Sequence, residues 1–473
     1  MKFKKVVILL TVVVMMFSFT VTGFAASEVS RVAAVINGDS DTARGFSWYT
    51  DDECGSDLQI VPFGQDIEIS EVVSGYSHKA MERFVHKVDV DSLKPGTKYA
   101  YRVGDSQTDV WSDICYFTTA DSSDDRADFI VIADVQASNE ENFKKAAVVM
   151  EKATQYMPEH DFIVNLGDFV NDCTNEEWDS YFKNFAFANN NTTLIPVAGN
   201  HEGNLQWFKF NNMFNIGAAP GSDVITGCYY SFDWGDAHFA VLNSNDMYPM
   251  SMQQINWLKN DMNKSDAQWK IVLMHRALYS AGKNINKPDT LVMREMLLPV
   301  IDELGIDVVF AGHDHMYFRT QQVKGDAVVE TETVTEVFDG VETQFVLNPD
   351  GAVHILPSTA GTKRYSVNED AVSPILDCGA VVRDTYEGGV FAKISLDSEH
   401  FLYNAYMVND ETHEVTLIDS YAIKKTERAG INEDYKDLPT DIFSNFAINI
   451  FNFVVQITKV LFAYIGMLPS LIF

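Results

Sequence analysis

Gly199-Asn200-His201-Glu202 sets an amide, an imidazole and a carboxylate side by side, directly after the apolar run Leu194-Ile195-Pro196-Val197. Three side chains able to hold a metal ion or move a proton have no use in a hydrophobic core. They are well placed beyond the carboxyl end of a strand, where open α/β sheets collect their ligands. The same event recurs along the chain. Phe129-Ile130-Val131-Ile132-Ala133 stops at Asp134, with Gln136 shortly after, and Phe162-Ile163-Val164-Asn165-Leu166 stops at Gly167-Asp168. Ile271-Val272-Leu273-Met274 stops at His275, and Val308-Val309-Phe310-Ala311 stops at Gly312-His313-Asp314-His315. The donors are oxygen and imidazole nitrogen, with no thiolate. That set suits ions such as Fe, Mn or Zn rather than a structural, cysteine-rich zinc site.

The ordered series, Asp134, Gly167-Asp168, Gly199-Asn200-His201-Glu202, His275 and Gly312-His313-Asp314-His315, resembles the calcineurin-like metallophosphoesterase superfamily. The segment upstream of it resembles the N-terminal domain of purple acid phosphatases. The resemblance implies an α/β fold with a fibronectin-like β-sandwich followed by a four-layer αββα sandwich, two mixed sheets with helices outside. It also implies two metal ions. Carried onto matching positions, Asp168 bridges them, Asp134 and His315 join it on the first, and Asn200, His275 and His313 join it on the second. The residue chemistry agrees, because a carboxylate has two oxygens and can bridge, whereas an imidazole binds one ion. Asp314 lies between two ligands and is expected to point away or to orient them. His201 is placed to hydrogen-bond a phosphoryl group or protonate a leaving alkoxide; its rival role is to hold Asn200. Arg276, Tyr279 and Tyr365 are further candidates for contacting substrate.

Two departures stand out. Purple acid phosphatases carry a metal-binding Tyr where this chain has Asn171, so the tyrosinate colour is expected to be absent. Many related phosphoesterases carry a His where this chain has Gln136. Gln136, Asn171 or water must therefore complete the first site.

The elements that must position these residues follow from pattern. The chain has 473 residues, 46% hydrophobic, enough for more than one core, and a net charge of −32 that repels nucleic acid. Residues 1–26 have a basic start, an apolar stretch and small residues at the end, the pattern of a secretion signal; a retained anchor is the alternative. Export would permit disulfides, but five widely spaced cysteines are not a disulfide framework. Cys54 and Cys115 share a domain and could pair, and Cys173 reads as a packing residue. Residues 28–120 show the alternation of an all-β domain, with Tyr99 at a strand start as in a tyrosine corner. The polar run 121–125 is a linker. Residues 127–425 alternate strands with helical stretches at 142–156, 176–187, 252–262 and 291–304, the last interrupted by Pro299. His238 reads as a core or edge histidine. Residues 321–350 read as an exposed acidic hairpin turning at Asp339-Gly340, either solvated or an acidic rim that selects substrate.

Residues 426–440 form a further linker, and the tail at 441–473 stands apart. Asn445, Asn449, Asn452, Gln456 and Lys459 make one narrow polar stripe on an otherwise apolar helix. Such a helix is expected to lie in a membrane interface, to self-associate, or to dock on its own protein. The whole is expected to be a secreted phosphohydrolase, acting on small phosphomonoesters before diesters. A phosphodiesterase or nucleotide hydrolase on the same site is the alternative, as is a surface binding protein with a degenerate metal centre.

Overall fold

The computed structural model describes residues 28–467 except 81, 204–212, 221, 223–227, 246–250, 326, 369–378 and 429. The expected signal at 1–26, Cys378 and the end of the tail at 468–473 lie outside the described residues.

Two antiparallel layers make the N-terminal domain. One holds β1 (Ser30–Val35) with strands Arg44–Thr50, Arg83–Val90 and Tyr76–Ala80. The other holds Val72–Ser74, Asp57–Pro62, Lys98–Asp105, Val110–Trp111 and Cys115–Thr118. Period-two alternation sends Ala34, Phe46, Trp48 and Val88 of one layer against Leu58, Tyr101, Val103 and Phe117 of the other. The Lys94 N–H donates to the Tyr99 hydroxyl at 2.8 Å, closing the corner where the strand Lys98–Asp105 begins. Cys54 and Cys115 do not pair. Both are free thiols, Cys54 against Thr50 and Cys115 against the Asp113 carbonyl.

The rest of the chain is built from strands joined by helical crossovers. In the first half β2 (Ala127–Ile132), β3 (Phe162–Asn165) and β4 (Thr193–Pro196) are parallel neighbours. They are joined by α1 (Glu140–Tyr156) and α2 (Asn175–Asn189). In the second half β5 (Ala237–Val241), β6 (Trp269–Arg276) and β7 (Val308–Gly312) are likewise parallel. They are joined by α3 (Met252–Met262) and α4 (Pro288–Leu304). These strands are buried on both faces and read as continuous apolar runs, as parallel strands under helices must.

Capping explains where the helices start. Asn139 caps α1, Thr174 and Glu177 form a capping box on α2, and Ser251 caps α3. Pro288 opens α4 and Gly305 closes it with φ 63°. The break expected at Pro299 does not occur, and α4 runs through it. Pro299 lies on the exposed face, where water can satisfy the carbonyl that the ring frees.

The two sheets, of twelve and seven strands, pack face to face through Phe129, Phe162, Phe232 and Phe239, with ring centroids 4.7–5.6 Å apart in their contacts. Helices α3 and α4 cover the outer face of the smaller sheet through Leu258, Leu297 and Ile301. The result is the four-layer αββα sandwich. The larger sheet does not end with this domain. β1 pairs in parallel with β4, Val35 opposite Leu194, so the N-terminal layer extends it.

The acidic hairpin also differs from expectation. Strands Glu332–Phe338 and Val341–Leu347 turn at Asp339 and Gly340, both left-handed, but the second strand joins the large sheet beside Val415–Lys424. Phe338 and Phe345 are buried there, Asp339 pairs with Arg126 at 2.8 Å, and Glu336 with Lys424 at 2.6 Å. Arg126 precedes β2 whereas Asp134 follows it, about 20 Å of strand away. The hairpin is therefore no rim of the metal-binding loops.

The tail helix α5 (Ile442–Met467) lies against α3, with Asn445 and Asn449 of its polar stripe turned inward. Asn445 and Asn449 are buried. Asn256 donates to Asn445 at 3.1 Å, Asn449 donates to Gln253 at 2.5 Å, and the Met252 N–H donates to Asn449 at 3.0 Å. The pairing is antiparallel, so α5 continues past the start of α3 for about 27 Å to Met467. Phe446, Ile450, Phe451, Phe453 and Val454 face outward and are exposed. Among the described residues no helix is long and apolar enough to cross a membrane.

Candidate metal centre

Each loop at the carboxyl end of β2, β3, β4 and β7, with the end of β6, delivers one or two donors to the same point. Two groups form. Asp168, His275 and His313 offer ligand atoms within 4.8 Å of one another, and so do Asp134, Asp168 and His315. Asp168 belongs to both. Asn200 joins the group of His275 and His313, with its Oδ1 3.1 Å from His275 Nε2.

The loops pay for this convergence with backbone strain. Asp134, Gln136, Asp168, His313 and His315 all have positive φ, from 35° to 76°. Left-handed backbone costs an L-residue about 1–3 kcal/mol and concentrates where function demands it. Glycine is required where the loops touch. A Cβ on Gly199 would lie 2.2 Å from Asp168 Oδ1, and one on Gly312 would lie 2.6 Å from Asp134 Oδ2.

The imidazoles are oriented from behind. His275 Nδ1 donates to the Leu166 carbonyl at 2.9 Å, and His315 Nδ1 to the Lys363 carbonyl at 2.5 Å. Each thereby turns Nε2 inward, His275 to Asp168 and His315 to Asp134, both at 3.3 Å. Burial pushes the Asp168 carboxyl up, but His275 outweighs it and holds the group well below the carboxylate range. Burial pulls His275 down, and Asp168 more than reverses this, to about 9. Burial and the neighbouring His275 hold His313 well below its ordinary value.

Of the other expected residues, His201 lies beside Asp168, its N–H on Asp168 Oδ1 at 2.9 Å and its Nε2 3.9 Å from Oδ2. Its Nδ1 donates to the Asn171 carbonyl and its Nε2 meets the Gln136 amide. The Asn171 side chain turns away, donating to Asp172 at 2.9 Å. Asp314 points away into its own pocket, where Asn284 donates to it at 2.5 Å. Tyr365 stacks on His315 with centroids 4.6 Å apart, and Arg276 is paired with Asp289 at 3.0 Å. Tyr279 is not a substrate contact. It is buried in the core under α4, against His354 and Arg294, because the chain after His275 folds back under the helix.

Sequence reasoning missed Glu202 and Lys283. Glu202 is buried and accepts three backbone N–H bonds, from Asp168, Phe169 and Gly199, at 2.8–2.9 Å, clamping two loops together. Burial and the Asp168 charge raise its pKa. Its place inside Gly199-Asn200-His201-Glu202 was the available signal. The Lys283 ammonium lies 3.9 Å from the Tyr365 ring centroid, and nothing local in the sequence announces it.

Strands that deliver Asp, Asn and His to one point between two stacked sheets define a calcineurin-like phosphoesterase domain, and residues 127–317 match the calcineurin-like phosphoesterase family. Residues 29–119 match the purple acid phosphatase N-terminal domain, so the chain carries both domains in the order that resemblance implies. It is 25% identical over 303 residues to mouse acid phosphatase type 7, covering 59% of this chain and 64% of that one. It is 25% identical over 269 residues to Arabidopsis thaliana purple acid phosphatase 23, covering 50% of this chain and 58% of that one. The match thus spans less than two thirds of either relative. The structure of purple acid phosphatase PPD1 from yellow lupin superposes with a TM-score of 0.62 at 14% identity, over 84% of this chain and 75% of that one, which shows a shared fold.

Proposed function

We propose that the protein is a secreted dinuclear-metal phosphohydrolase acting on small phosphate monoesters. The observation that carries this is the pair of donor groups sharing Asp168 at the carboxyl ends of the strands. The residues fit two ions. Their donors are carboxylate, amide and imidazole, His275 and His315 are each fixed through the outer nitrogen, and flanking glycines leave the carboxylates unobstructed. Asp134, Asp168 and His315 would hold the first, and Asp168, Asn200, His275 and His313 the second. Two such ions neutralise phosphate oxygens and acidify a water for in-line attack.

The chain's own groups do the rest. Glu202 fixes the loop of Asp168 against that of Asn200. His201, held at Nδ1 by Asn171, has Nε2 as the nitrogen able to reach substrate; protonated, it donates to the phosphoryl group or the leaving alkoxide. Tyr365, stacked on His315, and Lys283 over its ring would be the groups nearest a substrate on that side. Asp168→Asn should nearly abolish metal-dependent hydrolysis of an aryl phosphate and lower metal content, because one negative charge between two cations is lost. Wild-type turnover and metal content in that variant would refute the two-ion assignment.

The outward face of α5 favours a second role, in location. Asn445 and Asn449 are spent on α3, and Phe446, Ile448, Ile450, Phe451, Phe453 and Val454 are left exposed on the same helix. We infer that residues 441–473 attach the protein to a membrane interface or to a second copy. Attachment should resist salt and yield to detergent, since apolar burial dominates. A protein ending at Leu438 should be monomeric and retain turnover. Monomeric full-length protein that ignores liposomes would contradict this.

A further inference from the structure

We infer that Gln136 supplies a ligand to the first ion through its amide oxygen, while its amide nitrogen holds His201. The inference rests on the two-ion reading above. The second group has four donors, Asp168, Asn200, His275 and His313; the first has three, Asp134, Asp168 and His315. The Asn171 side chain is directed to the exposed Asp172, to which its amide nitrogen donates at 2.9 Å.

Gln136 meets the requirement. Its backbone N–H donates to the Asp168 carbonyl at 2.8 Å, which ties it to the loop of the bridging residue. Its side chain is buried, 5% exposed, and among the described residues its Oε1 has no hydrogen-bond partner. A buried amide oxygen without a partner is rare and calls for a missing one. The residue also has φ 35°, the left-handed backbone it shares with Asp134, Asp168, His313 and His315.

His201 settles which end of the amide faces where. Its Nδ1 meets the Asn171 carbonyl and so carries the proton. In this resting tautomer Nε2 offers a lone pair to a donor, a contact it gives up when it donates to substrate. The Gln136 NH2 is that donor, which leaves Oε1 as the end free to bind an ion.

Equilibrium dialysis of the metal-stripped, full-length protein against Zn2+, with bound ions counted, tests this without reference to activity. Wild type should hold two ions per chain. Gln136→Leu should keep one and bind the other at least about 10-fold more weakly. Gln136→Glu, which puts an anionic oxygen at the same reach, should hold both and bind the first more tightly. The Glu variant carries the test if circular dichroism shows that the Leu variant is unfolded. Wild-type affinity at both sites in the folded variants overturns the role of Gln136 and leaves the two-ion reading standing. Fewer than two ions in the wild type overturns that reading, and this inference with it.

Discussion

His238 and His275 are both buried histidines held by aspartates, and in both burial pulls the imidazole down while the carboxylates carry it back up, to about 9. Their settings differ. His238 bonds Asp233 through Nδ1 at 2.7 Å and Asp261 through Nε2 at 2.8 Å, so each ring nitrogen has its own acceptor. His275 commits Nδ1 to a backbone carbonyl and crowds Nε2 against Asp168 and Asn200 together. Asp168 has left-handed backbone, whereas Asp233, His238 and Asp261 are absent from the positive-φ residues described. A structural cluster saturates its groups on relaxed backbone. A site gathers more donors than they can satisfy among themselves and accepts strain to do so.

Three substitutions sharpen the contrast, and the largest effect is that of Asp168→Asn given above. Next, His201→Ala should lower turnover by about 10²–10⁴-fold, the range of a lost general acid, with both ions retained. The loss should shrink for substrates with good leaving groups. An equal loss for good and poor leaving groups would remove the acid role and leave His201 as a prop for Asn200. The smallest effect belongs to the other cluster. His238→Gln should leave turnover unchanged and lower stability by on the order of 2 kcal/mol near pH 6. The folded pKa lies above the ordinary 6.5, so this stabilisation is complete below that value and fades as pH rises through about 9. Melting temperatures of variant and wild type should converge above that pH. A constant gap would mean that packing, not charge, is what His238 contributes.

The site was legible because its strands are parallel and buried. An apolar run on such a strand has one reason to end at Asp134, Asp168 or His275, and the glycines beside Asp168, Asn200 and His313 mark close approach. Glu202 was not legible in its role, because hydrogen bonds to the backbone of another loop leave no trace in local pattern. Tyr279 misled because adjacency to His275 in sequence is not adjacency in space once the chain turns beneath α4. Asn445 and Asn449 belong to the polar stripe that the sequence marks on α5. Which way it faces was decided by partners on α3, Asn256 and Gln253, whose amides needed something to bond. The hairpin was found from Asp339-Gly340, but its place at the sheet edge follows from Phe338 and Phe345 finding Ala422, a contact between distant segments.

The sheet that passes from β4 into β1 has a mechanical meaning. Arg44, buried beside this junction, donates to Thr193 at 3.1 Å and to the carbonyls of Ser40 and Thr118 at 2.7 and 3.0 Å, bolting both domains to one point. Two bodies joined through shared sheet and a buried guanidinium cannot rock against each other without breaking backbone pairing. The small sandwich is therefore a buttress rather than a lid. It closes the open edge of β4, which would otherwise offer itself to any passing strand, and it should melt in the same cooperative step as the loops that hold the ions.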